Sequence, residues 1–291
     1  MCTIGAISAE DAEGAPVVFA LKTNDNMPKP VWHACITGGE GHDLLGFNLL
    51  ERPGVNSGMN NAGLAVVRSF LDFRGPFTES EDPKPAEDIR TDVDHRSAIG
   101  AYVLERFSCV EEALPHVLDL IPHYTGKDSG QRGGNFFMAD ANGNIAVVEH
   151  CEDRIAHHFY TEGFTARGNN GLLILQEEQA ALPEYVRLDR ETRCQKMSET
   201  VQEIRDGLPR GMRKEEALKK LKEVLTWRGI DGDGGLGSIC CEALRAPGVR
   251  TNSAEPCSTS TAVIFDLVEK VMHYTRGNPA KAPWRTLGFS D

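Results

Sequence analysis

The sequence lacks the features by which membrane, secreted and nucleic-acid-binding proteins are most easily recognised. None of its apolar runs reaches the roughly 18 residues that a transmembrane helix needs. The first residues, MCTIGAISAEDAEG, have neither a basic start nor an apolar segment, so we expect a cytoplasmic protein without a secretory signal. Acidic residues outnumber basic ones by 43 to 31, and the net charge of −12 is not offset by any basic run. A nucleic acid partner is therefore disfavoured.

Cysteine is present, but not in the spacings of metal sites. The eight cysteines include no CxxC pair and the histidines are not grouped, so the sequence predicts neither a zinc site nor an iron–sulfur cluster, and no cofactor. Most of these cysteines are expected to be small, buried, reduced side chains. No linker separates two cores and no repeat is visible, so we expect one domain over residues 1–291.

Segments with strand and helix character alternate in blocks. Two short apolar runs around an acidic, glycine-containing turn predict an opening hairpin, and Asp140–Gly143 predicts a second one. Four runs of apolar residues at helical spacing are found at about 95–107, 110–120, 185–205 and 214–226. Other strand predictions include 31–37, 64–67, 155–160, 164–167, 238–241, 259–266 and 271–275, while 75–94 is predicted to be a long exposed loop. This block order indicates layered α+β packing.

The position of Cys2 is the most informative feature of the sequence. An initiator methionine is removed efficiently when the next side chain is small, and the product would carry a thiol and a free α-amine on one residue. An α-amine has a reference pKa of about 7.7–8.0, so it can accept a proton near neutral pH. Nucleophile and base would then belong to the same residue, as in enzymes with an N-terminal threonine. The alternative is that a cysteine stands at position 2 by chance.

Three polar stretches favour the catalytic interpretation. The KTND sequence at 22–25 places a cation and a carboxylate three residues apart near a strand end. The stretches GMNNAGL at 58–64 and RGNNG at 167–171 place amide side chains in turns that glycine permits. Asparagine amides can donate hydrogen bonds to a developing oxyanion. Taken singly, each stretch is equally typical of a common turn or a surface ion pair.

Together and in this order, these stretches resemble a known family. MCT at 1–3, KTND at 22–25, GMNNAGL at 58–64, GNFFMADANGNIAVVE at 134–149 and GNN at 168–170 are similar to the acyl-CoA:isopenicillin N acyltransferase-like branch of the N-terminal-nucleophile (Ntn) hydrolases. SICCEA at 238–243 and the stretch 259–279 resemble the closing strands of that family. Choloylglycine hydrolases and acid ceramidase are more distant relatives.

The resemblance implies an α+β fold, a four-layer αββα sandwich of two antiparallel sheets between helical layers. Cys2 matches the family's nucleophile, and Asp25 matches an aspartate that contacts the N-terminal amine. Asn169 matches the asparagine of the oxyanion hole. Lys22 stands where relatives often have arginine, and a cation there would favour the thiolate.

Two further residues are assigned to substrate binding. Asn60 is expected to form its turn and to contribute to the substrate site. Some relatives carry arginine or histidine where this chain has Cys241, so Arg245 or Arg250 is expected to supply the cation unless the site works without one. Arg250 is taken as the substrate-binding candidate. Leu172–Leu175 could line an acyl pocket, although four successive apolar residues more often form a buried strand.

The expected function is that of an amide hydrolase or acyltransferase acting on a small-molecule acyl amide through a thioester acyl-enzyme. The alternatives are an N-acyltransferase of secondary metabolism that consumes an acyl thioester, a dipeptide-cleaving relative, and a catalytically inactive binding protein of the same fold. A homo-oligomer, dimer or tetramer, is suggested by the resemblance alone.

Overall fold

The structure, a computed structural model, describes residues 2–26, 31–36, 41–49, 55–71, 95–125, 133–151, 153–245 and 256–290. The strands in chain order are β1 (Ile4–Glu10), β2 (Pro16–Asn26), β3 (Val31–Ile36), β4 (Leu44–Leu49), β5 (Ser57–Asn60), β6 (Ala65–Leu71), β7 (Gly133–Ala139), β8 (Ile145–Cys151), β9 (Arg154–Tyr160), β10 (Gly163–Arg167), β11 (Ser258–Asp266), β12 (Val271–Thr275) and β13 (Trp284–Gly288). The helices are α1 (His95–Arg106), α2 (Val110–Thr125), α3 (Gln176–Ala180), α4 (Glu184–Gly207) and α5 (Lys214–Leu225), and a 3-10 turn covers Leu208–Arg210.

These strands form two antiparallel sheets. The six-stranded sheet has the order β10-β1-β2-β11-β12-β13, and the seven-stranded sheet runs from β3 to β9 in chain order. β1 pairs with β2 on one side and β10 on the other. The beginning of the chain therefore lies inside a sheet, where its neighbours fix its position.

Side chains that alternate between the two faces of each strand form the separate hydrophobic cores of the layers. On β2, Val18 and Ala20 pack in the core between the two sheets, whereas Phe19 and Leu21 pack against the other face, which α4 and α5 cover. A third core lies between the seven-stranded sheet and helices α1 and α2. Because successive strand residues point to opposite faces, one strand can serve two cores. The predicted four-layer αββα sandwich is confirmed.

Most of the predicted elements are present. The opening hairpin forms, and the second one turns at Asp140, whose carboxylate accepts hydrogen bonds from the backbone nitrogens of Asn142 and Asn144. The four predicted helices match α1, α2, α4 and α5. The loop predicted at 75–94 lies outside the described residues. Among the helices that the structure describes, none is both long and apolar enough to cross a membrane.

Two strand predictions are wrong. The segment 238–241 is irregular because some of its backbone groups bond to side chains instead of to a neighbouring strand. For example, Cys241 N donates to Thr259 Oγ1 at 2.9 Å. The run Leu172–Leu175 is also not a strand. Its first three backbone nitrogens donate to the buried Glu149 carboxylate at 2.8–3.1 Å, and Leu175 has a φ of 65°. A carboxylate that collects successive backbone N–H groups curls the chain into a loop instead of a strand.

Candidate active site

Cys2 lies two residues before β1, and the intervening Thr3 is held by the neighbouring strand β2. Thr23 N donates to Thr3 O at 2.9 Å, and Thr3 N donates to Thr23 Oγ1 at 3.1 Å. The Cys2 side chain is buried in the core between the sheets, with Ile4 and Ala6 farther along the same face of β1. Residues 2 and 3 are thus held in place by the sheet, and the thiol faces the seven-stranded sheet.

The nitrogen and the sulfur of Cys2 each contact an asparagine side chain. The nitrogen donates to Asn169 Oδ1 at 3.1 Å, and the thiol donates to Asn24 Oδ1 at 3.5 Å. Asn24 belongs to β2 and is buried. The structure therefore brings together Cys2 and Asn169, which the resemblance had assigned as nucleophile and oxyanion-hole residue, and adds Asn24, which was quoted only as part of KTND.

Asn169 follows β10 and reaches three different elements. Its φ of 72° lies in the left-handed region, which asparagine tolerates better than most residues. Its Oδ1 accepts from Cys2 N and also from Arg193 Nη1 at 3.2 Å, so the orientation of the amide is fixed by two donors. Its Nδ2 donates to Phe70 O of β6 at 2.8 Å. Within the described part of the chain, the second hydrogen on Nδ2 has no acceptor.

A glycine allows this turn to approach helix α4 closely. A Cβ on Gly168 would lie 2.4 Å from Arg190 O and 3.0 Å from Cys194 N, both of them backbone atoms. Real Cβ atoms do not approach so closely, so any other residue would force the turn and the helix apart. Gly168 therefore brings Asn169 within reach of the α4 side chains.

Arg193 of α4 is a site residue that the sequence analysis missed. The side chain is fully buried. Its Nη1 donates to Cys2 O at 3.3 Å and to Thr3 Oγ1 at 3.0 Å, in addition to Asn169. Its Nε and Nη2 donate to Asp189 Oδ2 at 3.0 and 2.7 Å, and Asp189 Oδ1 accepts from Gly237 N at 2.8 Å. A buried ion pair thus lies directly beneath the start of β1.

A β-bulge shapes the other side of the site. The register of β11 against β2 shifts between Thr259 and Thr261. The bulged Ser260 donates through Oγ to Asn24 O at 3.0 Å and accepts from Asn24 Nδ2 at 3.2 Å. Bulges commonly redirect a side chain next to an active site. Here the bulge holds the Asn24 amide so that its oxygen meets the Cys2 thiol.

Lys22 and Asp25 lie on the same strand as Asn24. Lys22 is buried, with its Nζ 2.6 Å from Asn56 Oδ1 and 5.5 Å from the centre of the Phe47 ring. Asp25 is also buried, and its Oδ1 accepts from Thr259 Oγ1 at 2.6 Å. The contact between Asp25 and the N-terminal amine stays a prediction, as does the effect of Lys22 on the thiol.

Asn60 has a structural role in the turn after β5. Its Nδ2 donates to Leu104 O and Phe107 O at 2.8 and 2.7 Å, and its Oδ1 accepts from Ala62 N and Leu64 N at 3.1 and 3.0 Å. The amide fastens the turn to the end of α1. Binding a substrate with this amide would require breaking one of the four bonds.

The cation expected near Cys241 stays a prediction. Arg250 lies outside them, and Arg245 is exposed. Burial raises the pKa of the nearby Cys240 thiol to about 11, and a hydrogen bond with Cys241, together with burial, raises that of Cys257. These thiols therefore stay protonated at neutral pH. In the part of the chain that the structure describes, no group of three or more His, Cys, Asp or Glu side chains could hold a metal ion.

Comparisons with known proteins identify the fold. Neither protein-family models nor curated protein sequences match this chain. The chain is similar to the solved structure of penicillin V acylase from Agrobacterium tumefaciens, with 14% identity, a TM-score of 0.57, and coverage of 99% of this chain and 86% of that one. It is also similar to a mutant of conjugated bile acid hydrolase from Clostridium perfringens, with 12% identity, a TM-score of 0.52, and coverage of 98% and 96%. The chain therefore has the Ntn hydrolase fold.

Proposed function

We propose that this protein is an N-terminal cysteine amide hydrolase that forms a thioester with the acyl part of a small-molecule amide. The observation that carries the proposal is the geometry at Cys2, whose nitrogen lies 3.1 Å from Asn169 Oδ1 and whose thiol lies beside Asn24. Removal of Met1 would turn this nitrogen into the α-amine that serves as base. The two solved structures of similar fold are, by name, a penicillin V acylase and a conjugated bile acid hydrolase, which supports the choice of reaction.

The reaction proceeds in two steps. The α-amine takes the proton of the Cys2 thiol, and the sulfur attacks the amide carbonyl carbon. The tetrahedral oxyanion is held by a backbone N–H and by the remaining Nδ2 hydrogen of Asn169. The C–N bond breaks as the ammonium of Cys2 protonates the leaving amine. Water then adds to the thioester, with the amine again as base, and releases the acid and the free thiol.

The remaining assigned residues have supporting roles in this proposal. Asp25 and Lys22 place charges near the start of β1, and Arg250 is a candidate for binding the substrate, as Asn60 is if its amide can be freed. An amine in place of water would make the protein an N-acyltransferase of the isopenicillin-acyltransferase-like branch. We favour hydrolysis because it needs no site for a second substrate.

The test combines intact mass measurement with alkylation by iodoacetamide at pH 7.5. We expect the purified protein to lack Met1 and to be labelled at Cys2 faster than at the partly exposed Cys109, because the α-amine of Cys2 can accept the proton of its thiol. Cys240 and Cys257 remain protonated. Hydrolysis of a panel of acyl p-nitroanilides should then be lost in Cys2→Ala, since alanine still permits removal of Met1 but provides no nucleophile.

The matched control is Cys109→Ala, which removes a partly exposed thiol at the start of α2. This variant should keep full activity. Amidase activity that survives in a folded Cys2→Ala protein would disprove the mechanism. Retained Met1 with an unreactive Cys2 would favour a binding protein. Product formation that depends on an added amine would assign the acyltransferase reaction.

A further inference from the structure

The Arg193–Asp189 ion pair is completely buried next to the start of β1. Both side chains are completely shielded from solvent, and all three nitrogens of the Arg193 guanidinium make hydrogen bonds. Removing two charges from water is costly and is repaid only when the pair is fully hydrogen-bonded, and apolar residues of the same size often give equal or greater stability. The presence of such a pair under Cys2 therefore points to a role in the chemistry of that residue.

One part of this role is geometric. Arg193 Nη1 contacts Cys2 O, Thr3 Oγ1 and Asn169 Oδ1 within 3.0–3.3 Å, so a single group fixes the backbone next to the nucleophile and the amide that faces its nitrogen. Asp189 holds the other edge of the guanidinium through two bonds to one oxygen. The planar shape of arginine is needed for this arrangement, because a lysine ammonium is a single point of charge.

The second part is electrostatic. Arg193 and the nitrogen of Cys2 share one acceptor atom, Asn169 Oδ1, so the cation lies close to the position of the future α-amine. A neighbouring positive charge disfavours the protonated form of an amine. A base must be unprotonated to accept the thiol proton, so this neighbour favours the active form.

We propose that Arg193 is a positioning residue that, held by Asp189, orients Asn169 towards the Cys2 amine and keeps this amine in its neutral, basic form. The inference rests on the proposed function, since it assigns a task to the α-amine. Among the described residues, the other buried charged or titratable groups around Cys2 lie on five elements. They are Lys22 and Asp25 of β2, Arg68 of β6, Glu149 and His150 of β8, Arg167 of β10, which pairs with Glu149 at 2.7 Å, and Arg190 of α4. The thiols of Cys241 and Cys257 lie on the side of Asp25.

The experiment measures the pH dependence of the acylation burst with p-nitrophenyl acetate from pH 5.5 to 9.5. All other charged groups stay in place in each variant, so differences from the wild type report on the pair. In Arg193→Met the acidic limb should move to higher pH by roughly one unit, because the cation is lost and Asp189 remains. In Asp189→Asn it should move to lower pH, because the anion is lost and the cation remains. In Arg193→Lys the limb should stay near its wild-type position while the burst rate falls at least tenfold.

Opposite shifts in two variants of one ion pair are the result that a purely structural role cannot produce. The amplitude of the burst gives the fraction of folded, acylating protein and corrects each rate for misfolding. As a control, Lys214→Met removes a cation from its ion pair with Asp266 in the distant part of β11 and should leave the limb unchanged. Profiles of Arg193→Met and Asp189→Asn that overlie the wild-type profile would overturn the inference. Absence of both a burst and any Cys2-dependent hydrolysis in the wild type would instead refute the proposed function.

Discussion

At the scale of single residues, Asn169 combines a left-handed backbone conformation with a side chain that both accepts and donates hydrogen bonds. Its backbone adopts a φ of 72°, its Oδ1 accepts two hydrogen bonds and its Nδ2 donates one. We expect Asn169→Asp to fold, because aspartate also tolerates the left-handed region and keeps the acceptor. The rate of amide hydrolysis should fall by roughly 10²–10³, the typical result of losing one oxyanion donor.

The comparison for this prediction is Asn142→Asp, which makes the same chemical change at an exposed turn residue. Rates and thermal unfolding temperatures of both variants should be measured side by side. A loss of activity in Asn169→Asp below threefold would remove this residue from the proposed mechanism. A large loss in Asn142→Asp would show that the added negative charge acts at a distance.

At the scale of secondary-structure elements, the contact between the turn after β10 and helix α4 sets the position of Asn169 relative to Arg193. Gly168→Ala would place a methyl group 2.4 Å from Arg190 O. We expect the free energy of unfolding to fall by about 1–3 kcal/mol, the usual cost of overpacking. Activity per folded molecule should fall as well, because Asn169 and Arg193 are moved apart. Chemical denaturation and the burst amplitude measure the two effects separately.

Gly14→Ala is the control for Gly168→Ala. Gly14 has a φ of 78° but no atom within 4 Å of the added Cβ, so the substitution strains the backbone without a clash. It lies in the turn of the first hairpin, between β1 and β2. We expect it to cost about 1–2 kcal/mol of stability and no activity per folded molecule. Equal activity in the two variants would show that the approach of the turn to α4 is not needed.

Glycines also explain why strands β4 and β5 were not predicted from the sequence. Gly46 of β4 and Gly58 of β5 face each other in the ladder, and a Cβ on Gly46 would lie 2.7 Å from Ser57 O. The sequence pattern predicts a turn at Gly58 and no element at Gly46, whereas both glycines permit the close approach of two paired strands. Period and propensity predicted the long helices and most strands, since those depend on local patterns. Close backbone contacts depend on the partner strand and are not visible locally.

The site was predictable to the extent that it depends on short motifs. Cys2 and Asn169 were chosen from their sequence context, and the fold brings them into contact. Arg193 was missed because α4 is rich in charges, and charged helix residues usually face solvent. The available signal was the i,i+4 pair Asp189–Arg193 on the same stripe as the buried Val186 and Met197. A complementary pair of charges within an apolar stripe indicates a buried ion pair.

At the scale of the whole molecule, His273 of β12 links stability to pH. Burial, with smaller contributions from the cations of Lys222 and Lys214, lowers its pKa from 6.5 to about 4. Between these two values the unfolded chain binds a proton that the folded protein does not bind, so this residue makes the protein less stable as the pH falls from 6.5 to 4. In His273→Gln the drop in the unfolding temperature between pH 7 and pH 5 should be smaller.

The difference between variant and wild type is the quantity to compare in this experiment. Burial raises the pKa of Asp266, which acts in the opposite sense because its protonated form is favoured in the folded state. That contribution is common to both proteins. Glutamine can keep a hydrogen bond to Thr286 Oγ1, the partner of His273 Nδ1 at 3.0 Å. Parallel curves for the two proteins would show that His273 is protonated alike in the folded and unfolded states.

The bond between Asn169 and Phe70 has a consequence for the entire sandwich. Asn169 belongs to the end of the six-stranded sheet, while Phe70 O lies on the seven-stranded sheet, and the same amide contacts Cys2. If one sheet slid past the other by about one ångström, the amide could not keep both contacts at their present lengths. The reactivity of Cys2 would then depend on the relative position of the two sheets. On the proposed mechanism, a molecule bound between the sheets far from Cys2 would lower the rate of amide hydrolysis without contacting Cys2.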